Sequence, residues 1–205
     1  MYLSVQGYQP SLLSMQTSLL EKGIQMSTYI YVDNSNVWIE GKHVSAVEKG
    51  MAANLDVAMK HCICDQYWTY DFGKLLQFTV GDLSKIGRAV LFGSKPPITD
   101  TLWDAARSAG FEVKTEDRSY YTNKEKKIDM GIGTTILEDS FIRMTPGSDD
   151  VVLVAGDRDY VPVVESLKSR GIEFNVCFWN HASSELKNLA NNFYSLNPHL
   201  HYLAR

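Results

Sequence analysis

The stretch Val151-Val152-Leu153-Val154-Ala155-Gly156-Asp157-Arg158-Asp159-Tyr160 decides the fold. Five apolar residues in an unbroken run predict a strand buried on both faces, the habit of parallel sheets. One glycine separates that strand from two carboxylates. Residues 160–169 then carry Val163, Val164 and Leu167 at helical spacing, and Gly171 supplies the stop. Strand, acidic turn and helix in this order make the repeating piece of an α/β sheet.

Outward from this stretch the same alternation recurs. Residues 29–32 predict a strand ending at Asp33, and 36–49 a loop entering a helix. Leu75 to Phe78 sits in a helix-like segment, and 88–92 predict a second strand. Thr99 or Asp100 can cap a helix carrying Leu102, Trp103, Ala106 and Ala109, which Gly110 ends. Residues 111–114 form a third strand, and 116–127 a polar loop. Residues 129–141 form a helix, with Ile132, Thr135, Ile136 and Ile142 available to the sheet. Residues 172–179 predict a fifth strand and 183–191 a helix. Phe193-Tyr194 and His201-Tyr202-Leu203 can add an edge element. Strands spaced by helices imply a mostly parallel sheet with right-handed crossovers. Residues 1–26, with Gly7, Pro10 and a short leucine pattern, read as an arm or short helix ahead of a domain over 27–205. Met26 offers a second start.

Composition narrows the class. The 205 residues suit one domain with an extra arm, and 44% hydrophobic content supports an ordinary core. No apolar run reaches membrane-spanning length, and the N-terminus lacks a basic flank before an apolar core, so neither membrane nor export is expected. Three cysteines, Cys62, Cys64 and Cys177, do not make a disulfide framework and fit a reducing, cytoplasmic setting. Net charge of −4 excludes a strongly basic nucleic-acid coat but not a local patch, of which Arg118, Lys124, Lys126 and Lys127 are the best example.

In parallel sheets, ligands bind beyond the carboxyl ends of the strands, where Asp33 and Asp157 fall. Carboxylates are hard ligands that suit magnesium or manganese, and such ions usually keep waters and a substrate phosphate. Each acid also has a plain structural use. Asp157 and Asp159 fit a turn and a helix cap. Asp129 would sit in the first turn of its helix, favoured by the macrodipole. Asn36 can cap a helix or hold a phosphate, and Ser183 can cap a helix or place a hydroxyl on a phosphate. Cys62-Ile63-Cys64 has the wrong spacing for structural zinc. A Walker loop, a dinucleotide fingerprint and a nucleophile elbow are absent. Ser35 stands where an aspartyl-phosphate phosphatase would want an acid. Trp38, Trp68, Tyr120 and Tyr121 are aromatic residues that can stack on bases or pack.

Three pieces taken together resemble the NYN domain, a branch of the PIN-like nuclease superfamily that includes the LabA-type proteins. They are Tyr31-Val32-Asp33-Asn34-Ser35-Asn36, Lys127-Ile128-Asp129, and Val154-Ala155-Gly156-Asp157-Arg158-Asp159-Tyr160 continuing to Arg170-Gly171. Ser183-Ser184-Glu185-Leu186 and Ala190-Asn191-Asn192-Phe193 also fit, so the likeness spans about residues 27–195. The resemblance implies a Rossmann-like three-layer α/β sandwich and hydrolysis of RNA phosphodiesters by a Mg²⁺- or Mn²⁺-dependent endoribonuclease. Asp33, Asp129, Asp157 and Asp159 become the catalytic, metal-binding set. Asn36 becomes the polar residue holding the site or substrate. Apart from the resemblance, Lys42, Arg118, Lys124, Lys126 and Lys127 can position flanking RNA phosphates, and Arg158 and Ser183 can each reach one. Arg158 and Tyr160 depart from the family pattern, which often has a small polar residue and a phenylalanine there. The alternative is a catalytically weak or inactive NYN-type module that binds RNA or a protein, and the arm offers a route to a homodimer.

Overall fold

The computed structural model describes residues 26–94, 101–116 and 125–205. The strands are β1 (Thr28–Asp33), β2 (Ile86–Ser94), β3 (Glu112–Glu116), β4 (Asp150–Val154), β5 (Glu173–Phe178) and β6 (Asn192–Ser195). Eight α-helices are described: α1 (Asn34–Glu48), α2 (Leu55–Lys60), α3 (Phe72–Val80), α4 (Thr101–Ser108), α5 (Glu125–Ile142), α6 (Val161–Ser169), α7 (Ser184–Leu189) and α8 (Leu200–Leu203). The sheet order is β3-β2-β1-β4-β5-β6, and every neighbouring pair is parallel. Helices α3 and α4 pack together, as do α5 with α6 and α6 with α7, so helices flank the sheet in a three-layer α/β sandwich of Rossmann-like, PIN-like form.

Burial explains the strand pattern. Val151 to Ala155 are all 3% exposed or less, as are Ile30 to Val32. Each fully buried Val, Ile or Leu contributes roughly 1.5–3 kcal/mol of apolar burial, and no polar face is left to alternate. β4 pairs with β1 so that Val32 lies opposite Val154. The two strands therefore end side by side, with Asp33 on one and the Gly156-Asp157 turn just beyond the other. Chain order reverses between β1 and β4, which makes this edge the topological switch point where doubly wound sheets open a crevice.

Several boundaries differ from the sequence reading. Residue 34 already belongs to α1, because Asp33 itself is the N-cap and its Oδ1 accepts the Asn36 N–H at 3.0 Å. Such a cap stabilises a helix by ~1 kcal/mol. Helix α5 begins at Glu125, so Asp129 lies one turn in and outside the reach of the first-turn dipole. Ile132, Thr135 and Ile136 are buried, but Ile142 is 78% exposed at the end of that helix. Phe193 and Tyr194 do form the edge strand, whereas His201 to Leu203 belong to α8. Trp68 is a core residue. It packs edge-on against Trp179 at 5.6 Å, and a side chain at Gly41 would run into both rings. Residues 1–25, Thr99, Asp100, Tyr120 and Tyr121 lie outside the described residues.

Candidate functional site

At the switch point three segments are tied through one glycine. The Gly156 N–H donates to Asn36 Oδ1 at 3.1 Å, and the Gly156 carbonyl accepts the Ser183 N–H at 2.8 Å. A side chain at Gly156 would enter the Phe178 ring, so only glycine lets the β4 turn lie this close to β5. Asn36 thus joins the start of α1 to the β4 turn. Ser183 joins the loop before α7 to the same turn, and its hydroxyl caps α7 by accepting the Leu186 N–H at 3.5 Å.

The carboxylates occupy distinct niches around this glycine. Asp33 is buried at the end of β1. Beside it, Asn34 accepts the Tyr70 hydroxyl proton through Oδ1 at 2.7 Å. Asp157 is exposed and caps the 3-10 turn Arg158–Tyr160, its Oδ1 accepting the Asp159 N–H at 3.0 Å. The cap is therefore Asp157, not Asp159 as the sequence suggested, and Tyr160 at the N-cap of α6 has no side-chain cap. Asp129 accepts the Tyr160 hydroxyl proton at 3.0 Å. Asp159 and Arg158 are exposed.

Tyr160 reports how these acids relate. Its side chain is 2% exposed, and its hydroxyl pKa is pushed far above the usual range, first by burial and then by the negative charges of Asp33, Asp129 and Asp157. Tyr70 feels Asp33 in the same way, after a larger effect of burial. Three of the four expected acids therefore share one electrostatic field centred on Tyr160. Among the described residues no three His, Cys, Asp or Glu side chains form a group that could hold a metal ion.

A cleft of about 780 Å³ runs from Asp129 and Tyr160 past Arg158 and Asp159 to Glu185, with Met130 and Pro162 as apolar walls. Among the described residues its walls take in Asp129 and Asp159 but neither Asp33 nor Asp157. Lys42 stands apart, its side chain mostly buried and its ammonium 3.9 Å from the Trp38 ring centroid. Arg118 and Lys124 lie outside the described residues, as do the side chains of Lys126 and Lys127. Sequence reasoning passed over Tyr70, Asn34 and the Tyr160 hydroxyl as organisers of the site. The one available signal was Tyr160 at a position where phenylalanine is common.

A parallel sheet with 3-2-1-4-5-6 order, flanked by helices, defines a Rossmann-like α/β protein of PIN-like form. The NYN domain family matches residues 27–197, and the chain belongs to it; this is a nucleic-acid-associated class of module. A crystal structure of a protein of unknown function from Vibrio parahaemolyticus is similar in fold, with a TM-score of 0.60 and 20% identity over 84% of this chain and 93% of that one. No curated protein matches. Among the described residues no helix is long and apolar enough to cross a membrane.

Proposed function

We propose that the protein is an NYN-type RNA-binding module with weak or absent cleavage, which meets RNA at the switch-point edge of its sheet. The observation that carries this reading is that three of the four acids are already engaged by the protein itself. Asp33 and Asp157 each commit an oxygen to a backbone N–H, and Asp129 accepts the Tyr160 hydroxyl proton. Arg158 and the polar loop at Ser183 border the acids, and exposed cations and loop amides suit phosphate contacts that position a nucleic acid without reading its sequence.

A second reading is a Mg²⁺- or Mn²⁺-dependent endoribonuclease, and the shared field at Tyr160 favours it. Acids that act on one buried group gain from a cation, and magnesium typically takes one or two carboxylates and keeps its waters. The residues fit such a loosely held ion: Asp33 and Asp157 would hold it, with Asp129 and Asp159 adjoining. When bound, the ion would supply Lewis-acid stabilisation of phosphate charge. This chain's own part would be placement: Asn36 fixes the β4 turn, and Tyr160 fixes the Asp129 carboxylate.

The two readings separate in one experiment. Single-stranded and structured RNA are titrated with the full chain in EDTA, then incubated with Mn²⁺ beside Asp157→Asn. RNA affinity that survives EDTA, with no products, is the expected result. Products formed by the wild type and lost in Asp157→Asn would establish the nuclease instead.

A further inference from the structure

Burial accounts for three of the four tryptophans of this chain. Trp68, Trp103 and Trp179 lie in the core, and Trp68 packs against Tyr70 and Trp179. Trp38 is 38% exposed and, among the described residues, has no aromatic ring packed on it. Indole rings are enriched where proteins meet partners, because they pair a large apolar face with a polar tip.

Its place in α1 puts this ring beside the switch-point edge. Asn34 begins the helix, and Trp38 lies one turn on, along the same face. A long helical side chain leans back over the turn that precedes it. The indole therefore leans toward Asn34 and the carboxyl end of β1. Asn34 is buried there with its Oδ1 on the Tyr70 hydroxyl, and the Asp33 charge acts on the same hydroxyl.

Lys42 continues the face by one more turn and leans back in the same sense. The residue is mostly buried, and its ammonium lies 3.9 Å from the Trp38 ring centroid. Among the described residues Lys42 makes no salt bridge. A cation over the ring is attracted to its π-face and holds the indole in one orientation. Little side-chain freedom is then lost when a flat ligand meets the ring. The same ammonium places positive charge where a nucleotide on the ring would carry its phosphate.

We propose that Trp38 is a stacking platform for an unpaired base of RNA, with Lys42 beside it for the adjoining phosphate. This rests on the RNA reading of the switch-point edge and names the form of RNA taken there, a single strand. A duplex keeps its bases stacked on one another and offers no inner base face to the indole. Every base has a π-face, so the contact tolerates sequence. The lysine positions the strand without reading it.

The test titrates the full chain, in EDTA, with labelled oligouridylate and with the same strand annealed to oligoadenylate. Anisotropy of the label reads binding, and tryptophan emission reads contact at the ring. The single strand binds and quenches the emission, and the duplex binds more weakly. Trp38→Leu weakens the single strand by about fivefold to a hundredfold, the scale of one stacked base. Trp38→Phe keeps a ring for stacking and most of the affinity, but loses the quench because the three remaining tryptophans are buried. Lys42→Gln lowers the logarithmic salt slope of binding by about 0.7, the value of one phosphate contact on a single strand. Should Trp38→Leu fail to fold, Trp38→Phe and the paired RNAs decide. Single-strand binding without a quench, a quench that persists in Trp38→Phe, full affinity in a folded Trp38→Leu, an unchanged salt slope in Lys42→Gln, or equal binding of the duplex would overturn this proposal and leave the RNA reading standing. Failure of both RNAs to bind would overturn the two together.

Discussion

Replacing Tyr160 by phenylalanine removes one oxygen from the middle of the acidic field and leaves the buried ring in place. The lost interaction is the 3.0 Å hydrogen bond from the Tyr160 hydroxyl to Asp129 Oδ1. Hydrogen bonds to charged groups contribute about 1.5–3 kcal/mol. Asp129 is half-buried, so water replaces part of the bond, and the expected loss is about 1–2 kcal/mol. With a urea dependence of about 2 kcal/mol/M, the denaturation midpoint falls by roughly 0.5–1 M. A double-mutant cycle with Asp129→Asn isolates the pair and should return a coupling of about 1 kcal/mol. A Tyr160→Phe protein as stable as the wild type, with no coupling to Asp129, would refute the assignment of Tyr160 as the residue that holds the acids in place.

Gly156→Ala should cost about 1–3 kcal/mol in urea denaturation, because its methyl group displaces the Phe178 ring; a neutral substitution would mean the β4 turn has room. Tyr31, Tyr70 and Tyr160 all have hydroxyl pKa values raised chiefly by burial. A raised folded-state pKa gives stability that is full below the unfolded value of about 10 and declines as pH rises beyond it. Tyrosinate absorbance from these three should therefore appear only with alkaline unfolding, and ionisation ahead of unfolding would show them accessible. Asp65 behaves in the opposite sense. Hydrogen bonds from Lys49 and Ser45 hold its carboxyl below the usual range, so its contribution is present above pH ~4 and lost on acidification. Asp65→Asn should be less stable at neutral pH and show a flatter acid limb in thermal denaturation.

Much of the fold could be read from residues with strong local signals. The unbroken run from Val151 to Ala155 left no polar face, and burial on both sides followed. Asp33 and Asp157 could be placed because strand ends in parallel sheets share one edge. What escaped the sequence were effects carried by distant partners. Asn34, Ser35 and Asn36 compete with helix as readily as they form it, so the start of α1 depended on Asp33 acting as a cap rather than as a strand end. The polar residues from Glu125 to Lys127 looked like loop because no apolar period marks them, yet they begin α5 and move Asp129 one turn inward. Trp68 and Tyr70 lie in a segment with no clear period. They are fixed by Trp179, over a hundred positions away, and by Asn34. In the candidate site the acids were legible as residues, but the partners that engage them, backbone N–H groups for Asp33 and Asp157 and the Tyr160 hydroxyl for Asp129, were not.

The central claim is that RNA meets this protein at the β1/β4 edge. Photo-crosslinking a thiouridine-substituted single-stranded RNA to the full chain in EDTA, with adducts mapped by mass spectrometry, tests it most directly. Adducts on the turn after β4, around Arg158, and on the loop around Ser183 are the predicted result. Adducts confined to other faces of the sheet, or none at protein concentrations that saturate binding, would contradict it.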